Sequence, residues 1–230
     1  MKSDKVGEIM SKLLVIEGLD GSGKATQAKL LYDALCSCGA KVRQVSFPDY
    51  QSESSALIKM YLNGEFGDKP GDVNAYAAST FFAVDRYASF MKDWRDDYHK
   101  GIIIADRYTT SNAIHQCSKL SALEWNTYLD WLFDFEYRKM RIPEPDLVIY
   151  LRVDPEVSQQ LMTKRYGGYE EKKDIHEKDR EYLRRCQEAA SYCTKKLGWQ
   201  VIDCCSEGNM LPVEAIGNDV FLLVKDYLQM

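Results

Sequence analysis

A lysine behind a run of glycines, an arginine beside an aspartate, and two amides one helical turn apart are the side chains of this sequence best suited to handle phosphate and a base. The lysine is Lys24, in Gly18-Leu19-Asp20-Gly21-Ser22-Gly23-Lys24-Ala25-Thr26. Glycines let the backbone turn into a concave nest whose N–H groups point inward. A helix starting there adds a partial positive charge, and the lysine adds a full one. Such a nest suits the β- and γ-phosphates of a nucleoside triphosphate. The second pair is Asp106-Arg107. A carboxylate there is suited to Mg²⁺, directly or through water, and a planar guanidinium can bridge two phosphates. The amides are Asn112 and Gln116, with Ser111 and His115 in the same stretch. Both amides can read a base edge. Phe82 and Arg86 also stand one turn apart. A ring and a cation so spaced can stack a base and bond its edge, or be a surface phenylalanine beside a solvated arginine.

The glycine-rich motif departs from its usual form at one letter. A serine or threonine normally follows the lysine and ligates Mg²⁺. Here Ala25 stands there and Thr26 comes next. Thr26 is rotated by about 100° around the helix, so it does not simply replace the missing hydroxyl. Two readings remain: Mg²⁺ is held by phosphates, water and a carboxylate elsewhere, or catalysis has been lost.

These side chains need strands and helices to position them. Leu13-Leu14-Val15-Ile16 reads as a buried strand, and Ala28, Leu31, Tyr32 and Leu35 follow at helical spacing, with Gly39 as the cap. Val42, Val45 and Phe47 suggest a second strand ended by Pro48. Phe47-Pro48-Asp49-Tyr50 is then either a ligand-binding strand end or an ordinary turn. A short helix carries Leu57, Ile58, Tyr61 and Leu62, and a glycine-rich loop runs from Asn63 to Asp72. Asp68 or Asp72 would cap a long helix whose core stripe is Val73, Tyr76, Ala77, Thr80, Phe81, Val84, Ala88 and Met91; Phe82 and Arg86 lie on a face beside it. Ile102–Ala105 is a continuous apolar run, as in buried parallel strands, and it ends at Asp106. Ser121 can cap a helix with Trp125, Tyr128, Leu129, Leu132 and Phe133; about half of these read as core and the rest as a dimer interface. Leu147–Val153 and Trp199–Asp203 are strands, with helices from Pro155 to about Thr163, Glu181 to Leu197 and Val213 to Leu228. The charged run Lys164–Lys178 reads as a solvated loop.

Composition narrows the partners. A net charge of −5 argues against general binding to nucleic acid or a membrane surface. No apolar run approaches membrane-spanning length. Seven cysteines without paired metal-site spacing, and no leader-like segment, point to reduced thiols in a cytoplasmic protein. At 230 residues the chain reads as a single domain, with 1–10 as a polar N-terminal extension.

The phosphate loop Gly18–Thr26, Phe82 with Arg86, and Asp106-Arg107-Tyr108 followed by Ser111-Asn112 and Gln116 together resemble the thymidylate kinase family. Leu151-Arg152-Val153-Asp154-Pro155-Glu156-Val157 adds to the likeness, which runs from about residue 12 to the C-terminus. The resemblance implies a three-layer α/β P-loop kinase fold: a central parallel sheet of about five strands, helices on both faces, and a mobile lid over about 164–178. It implies γ-phosphate transfer from ATP to dTMP, giving ADP and dTDP, with Mg²⁺ as cofactor and a homodimer as the assembly. By resemblance Asp20 contacts the acceptor's sugar hydroxyl and phosphate side, Phe82 stacks on thymine, and Arg86 bonds its carbonyl edge. Arg107 holds the acceptor phosphate, Ser111 lines the acceptor site, and Asn112 and Gln116 read the base. His115 stands where the family usually has Tyr or Phe near the sugar 2′ carbon, and Tyr50 near a frequent arginine, which Lys59 could replace. Some members carry an arginine after the loop aspartate; this chain has Gly21 there. The resemblance then assigns the catalytic cation to the lid, where Arg165 is favoured over Lys164, Lys172 and Lys173, and Glu177 matches a lid-end carboxylate. Rival expectations are a kinase for another nucleoside monophosphate or a deoxynucleoside, and a catalytically silent nucleotide binder.

Overall fold

The computed structural model describes residues 11–165 and 175–230. In chain order its elements are β1 (Lys12–Glu17), α1 (Lys24–Ser37), β2 (Val42–Ser46), α2 (Ala56–Leu62), α3 (Ala75–Ser89), α4 (Arg95–Tyr98), β3 (Ile102–Asp106), α5 (Thr109–Cys117) and α6 (Trp125–Phe133). There follow β4 (Leu147–Arg152), α7 (Pro155–Arg165), α8 (Ile175–Lys178), α9 (Arg180–Leu197), β5 (Gln200–Asp203), the short β6 (Cys205–Ser206) and β7 (Asn209–Met210), and α10 (Val213–Leu228). Two π-helical segments, Phe90–Trp94 and Asp134–Lys139, extend α3 and α6.

The main sheet is parallel and five-stranded, in the order β2-β3-β1-β4-β5. Because side chains alternate along a strand, the apolar run of β1 feeds two cores at once. Leu14 and Ile16 pack under α1 and α10 with Ala28, Leu31, Leu35, Ile216 and Val220. Leu13 and Val15 face the other way, against Phe47, Trp94, Tyr108 and Ile142. Helices therefore cover both faces, as the three-layer reading requires. Register matters for the site: Ile16 pairs with Asp106, and Ser46 pairs with the same residue from the other side. The phosphate loop, the Asp106-Arg107 corner and the Phe47–Tyr50 turn consequently leave the sheet at one edge, beyond the C-terminal ends of the strands.

Some local expectations need correction. The apolar stripe of α3 is not its core face: Tyr76, Val84 and Met91 are 36%, 48% and 42% exposed, while Ala78, Ser79, Ala83, Asp85 and Arg86 are buried. Small residues let this face approach α5, and a distant carboxylate neutralises Arg86, so a polar-looking face is the buried one. Neither Asp68 nor Asp72 caps α3; Asn74 Oδ1 accepts from the Ala77 N–H at 2.9 Å, and Asp72 closes its own 3₁₀ turn. Strands β6 and β7 form a small antiparallel hairpin over Cys205–Met210, with Glu207 and Gly208 both at positive φ in its turn. Ser121 does not cap α6 either: Glu124 holds the N-cap position without a side-chain cap bond, and the Ser121 N–H and hydroxyl donate to the Glu124 carboxylate in the preceding turn. Tyr128, Leu129 and Leu132 are core, with Trp125 and Phe133 partly buried.

Candidate active site

A cavity of about 660 Å³ opens at the C-terminal edge of β1, β2 and β3. The phosphate loop forms one wall. Gly21 and Gly23 take φ of 79° and 81°, in the left-handed region where a side chain is strained. At Gly21 space forbids one as well, since a Cβ would lie 2.8 Å from the Ser158 carbonyl. The loop is closed from within: Lys24 Nζ donates to the Leu19 carbonyl at 2.9 Å, and Ser158 Oγ donates to the Asp20 carbonyl. Lys24 is 7% exposed. Burial pushes its amine down to about 8 and the Arg107 charge pushes the same way, against Asp20, Glu17 and Asp106. Ala25 and Thr26 line the cavity, so the departure from the usual motif falls inside the site.

The opposite wall is the β3–α5 corner. Arg107 has φ of 66°, an uncommon conformation for a side chain of that size. Its backbone N–H donates to the Ile16 carbonyl, and its guanidinium pairs with Asp20 across the cavity. Nη1 also lies 3.4 Å from both Ser111 Oγ and His115 Nε2. Desolvation opposes the charge of each partner, but the attraction wins: Arg107 is held above its ordinary range, with help from Glu17 and Asp106, and Asp20 below its own, with help from Lys24. An incoming phosphate would thus meet a guanidinium already charged and held by a carboxylate it can exchange for.

Asp106 is 8% exposed and lines the same cavity. Its Oδ1 is buried with no hydrogen-bond partner among the described residues. An orphaned carboxylate oxygen beside a phosphate nest fits a hard cation. No group of three or more His, Cys, Asp or Glu suited to a metal occurs among the described residues. The protein's share of a Mg²⁺ site would therefore be Asp106, with substrate phosphates and water completing the shell.

Phe82, Arg86, Asn112, His115 and Gln116 also line the cavity. Phe82 is half-buried, edge-on to Tyr61 at 6.4 Å. Arg86 is 2% exposed, which removes the solvated-arginine alternative. Nε and Nη2 donate to Glu136 at 2.7 and 2.6 Å, and Nη1 lies 3.4 Å from the Tyr108 carbonyl. Asn112 Nδ2 faces the Ser79 carbonyl at 3.3 Å, leaving Oδ1 for the cavity. Both polar side-chain atoms of Gln116 are buried without a partner among the described residues. His115 is buried, and desolvation pushes its imidazole down to about 3, aided by the Arg107 charge. Nδ1 meets the Tyr182 hydroxyl at 3.2 Å, and the ring stacks on His176 at 5.7 Å.

The sequence-derived residues Asp20, Gly21, Gly23, Lys24, Ala25, Thr26, Phe82, Arg86, Asp106, Arg107, Ser111, Asn112, His115 and Gln116 all line one cavity. Gly18, Leu19 and Ser22 belong to the loop but do not line it. Tyr50 lines it, whereas Lys59 donates to the Tyr50 carbonyl at 3.1 Å and does not. Arg165 is the last residue of α7; its side chain and those of Lys164 and Glu177 lie outside the described residues, as do Lys172 and Lys173. Three buried carboxylates escaped the sequence reading: Glu17, Glu136 and Asp85, the last lining the cavity and accepting from the Asp49 N–H and the Ser54 hydroxyl. Glu17 accepts from the Gly18 N–H, Thr110 Oγ1 and Ser111 Oγ at 2.7 to 2.9 Å, tying α5 to the phosphate loop. Glu136 holds Arg86. A buried acid next to a glycine-rich loop was a visible signal for Glu17; for Glu136 there was none.

Comparison with known proteins agrees with this geometry. The family model described as thymidylate kinase matches residues 16–209. A thymidylate kinase of Mycobacterium tuberculosis is 32% identical over 147 residues, spanning 64% of this chain and 68% of that protein. The human thymidylate kinase is 25% identical over 218 residues, spanning 94% and 91%. A solved thymidylate kinase structure from Candida albicans superimposes with a TM-score of 0.69 at 21% identity, covering 95% of this chain and 92% of that one, and so supports the fold. With matched segments that contain the loop, the Asp106-Arg107 corner and the acceptor-side amides, the chain belongs to the thymidylate kinase family.

Proposed function

We propose that this protein transfers the γ-phosphate of ATP to dTMP. The observation that carries the reading is a hydrogen-bond pattern on the acceptor side of a phosphate cavity. Arg86 has only donors, and the amide nitrogen of Asn112 is occupied by Ser79, so its oxygen faces inward. A donor beside an acceptor complements the 4-carbonyl and adjacent N3–H of thymine or uracil. Cytosine presents the reverse. Phe82 supplies a ring face for the base, and the unpartnered Gln116 amide can serve a further polar edge.

Phosphoryl transfer asks little covalent chemistry of a protein; it needs reacting groups held in line and migrating charge neutralised. Lys24 supports this at the donor phosphates and Arg107 at the acceptor phosphate, with Asp20 releasing the guanidinium as phosphate arrives. Mg²⁺, when bound at Asp106, would neutralise phosphate charge as a Lewis acid. Arg165 remains the proposed lid cation. His115, neutral and buried, fills the sugar side of the cavity, and its ring, smaller than Tyr or Phe, guards less strictly against ribose.

The homodimer and the cytoplasm belong to the same proposal. Tyr76, Val84 and Tyr87 on α3, with Met91 on its π-helical extension, form an exposed apolar ridge suited to a two-fold contact. Its free cysteines are consistent with a reducing compartment. No described helix is long and apolar enough to cross a membrane. A coupled ADP-release assay over dTMP, dUMP, dCMP, dGMP, UMP and thymidine tests the activity, with dTMP expected to give the highest kcat/KM. Tight ATP binding without turnover of any acceptor would instead favour a silent binder, the alternative that Ala25 keeps open.

A further inference from the structure

Glu136 lies behind the acceptor pocket without lining it. It is fully buried in the π-helical segment that follows α6, 50 positions from Arg86 in sequence. Its Oε2 accepts from Arg86 Nε at 2.7 Å and from Thr109 Oγ1 at 2.8 Å; its Oε1 accepts from Arg86 Nη2 at 2.6 Å. Asn112 Nδ2 approaches the same Oε1 at 3.5 Å, a long contact that works with the Ser79 carbonyl to orient the amide. One carboxylate therefore touches both residues that face the base edge.

We infer that Glu136 is a positioning residue that sets the hydrogen-bond polarity of the acceptor pocket, so that the pocket selects a pyrimidine with a carbonyl beside a ring N–H over one with an amine beside a bare ring nitrogen. The inference rests on the nucleotide-acceptor reading above. An ionised carboxylate offers acceptors only, so every group facing it must present a donor. Arg86 thereby spends its Nε–H and one Nη2 hydrogen on Glu136 and keeps the rest of its fork for Tyr108 and the cavity. Asn112 turns its amide nitrogen backward and its oxygen forward. The two ends of the Asn112 amide differ little in shape, so without this contact the Ser79 carbonyl at 3.3 Å alone holds the nitrogen backward.

The pairing also explains why glutamine is a sharp probe. A glutamine at 136 brings an NH₂ group to one end of the old carboxylate. At the Oε1 end it meets Arg86 Nη2 and Asn112 Nδ2, both donors. At the Oε2 end it meets Arg86 Nε–H and the Thr109 hydroxyl, and only the hydroxyl can turn to accept. The conflict is relieved by an Asn112 flip or by a shift of Arg86, and either change weakens the readout.

The test compares dUMP with dCMP, which differ only at the edge in question, alongside dTMP and ATP. In the wild type we expect kcat/KM for dUMP to exceed that for dCMP. In Glu136→Gln the ratio should fall at least tenfold and KM for dTMP should rise at least tenfold, with KM for ATP within twofold. An unchanged ratio overturns the inference, and so does a parallel rise of both KM values, which marks general loosening. A wild type that phosphorylates dTMP yet treats dUMP and dCMP alike overturns it too. A wild type that phosphorylates none of them refutes the acceptor reading itself. Should Glu136→Gln fail to fold, Thr109→Val decides: it removes one hydroxyl from the carboxylate and keeps the ion pair. A ratio lowered threefold or more supports the inference, and an unchanged ratio overturns it.

Discussion

Replacing Lys24 by methionine should abolish turnover and raise the melting temperature. The reasoning starts from a charge held where water is scarce: burial brings the Lys24 amine from 10.5 down to about 8. Below pH 8 the amine is protonated in both folded and unfolded chains, and keeping it so in the fold costs about 3 kcal/mol. Methionine has similar length and no charge, but it gives up the hydrogen bond to the Leu19 carbonyl, worth about 1 kcal/mol. The net gain is about 2 kcal/mol, or roughly 4–8 °C for a chain of this size. The pH dependence gives the sharper test. Because the folded value is lowered, the unfolded chain binds more protons between about 8 and 10.5, so wild-type stability rises with pH across that window. The cost falls to below about 1 kcal/mol by pH 10, and the advantage of the variant disappears there. Differential scanning fluorimetry of both proteins from pH 7 to 10, with the coupled assay at pH 7.5, measures both halves. A variant that melts below the wild type at pH 7, or an offset that stays constant to pH 10, would refute the account. Near-normal turnover would refute the assignment of the loop.

The remaining expectations follow from individual contacts. Phe82→Ala should weaken dTMP binding by roughly 1–3 kcal/mol, the range for a lost base stack, and leave ATP binding nearly unmoved in calorimetry; equal losses for both would indicate a folding defect. His115 stays neutral at any pH above about 4, because burial pushes its value down to about 3, so it should add no limb near pH 6.5 to the kcat/KM profile for dTMP. Appearance of such a limb, and its removal in His115→Phe, would contradict that. Asp106→Asn should raise the Mg²⁺ concentration for half-maximal activity by about tenfold or more and weaken Mn²⁺ binding to the ATP complex in paramagnetic titration; an unchanged metal requirement would remove Asp106 from the site. Arg165→Ala should lower kcat strongly and KM for dTMP little, the pattern of a contact made in the transition state, whereas collapse in Lys172→Ala or Lys173→Ala instead would move the role along the lid.

What the sequence disclosed depended on the range of the interaction. The phosphate loop is local: strand, turn and helix lie within about two dozen residues, and each letter constrains its neighbours. The Asp106-Arg107 corner was legible because an apolar run ends in two charges, which an interior strand tolerates only at its tip. The face of α3 was misread because periodicity counts apolar letters. Val84 and Met91 satisfy the count yet are exposed, while Asp85 and Arg86 violate it and are buried. What reverses the rule is pairing from elsewhere in the chain. Asp85 accepts from the Asp49 N–H and the Ser54 hydroxyl, and Arg86 is neutralised by Glu136. Burying an arginine alone would be prohibitive, and burying it in a bidentate pair is not.

The same asymmetry governs the chemistry. Of the groups named in the site, those expected to touch substrate sit in short motifs, and several that hold them in place come from a distance. Glu136 meets Arg86 across 50 positions, and Tyr182 meets His115 across 67. Glu17 stands next to the phosphate loop and accepts from the Gly18 N–H, yet the two hydroxyls it holds are 93 and 94 positions away. Glu17 and Glu136 are both fully buried, and each accepts from more than one element, so removing either would leave several donors unsatisfied at once. Supports of this kind are costly to lose, and of the two only Glu17 carries a local signature, its place beside the glycine-rich loop. A sequence can therefore state what kind of reaction a site performs while concealing which of its residues make the geometry hold.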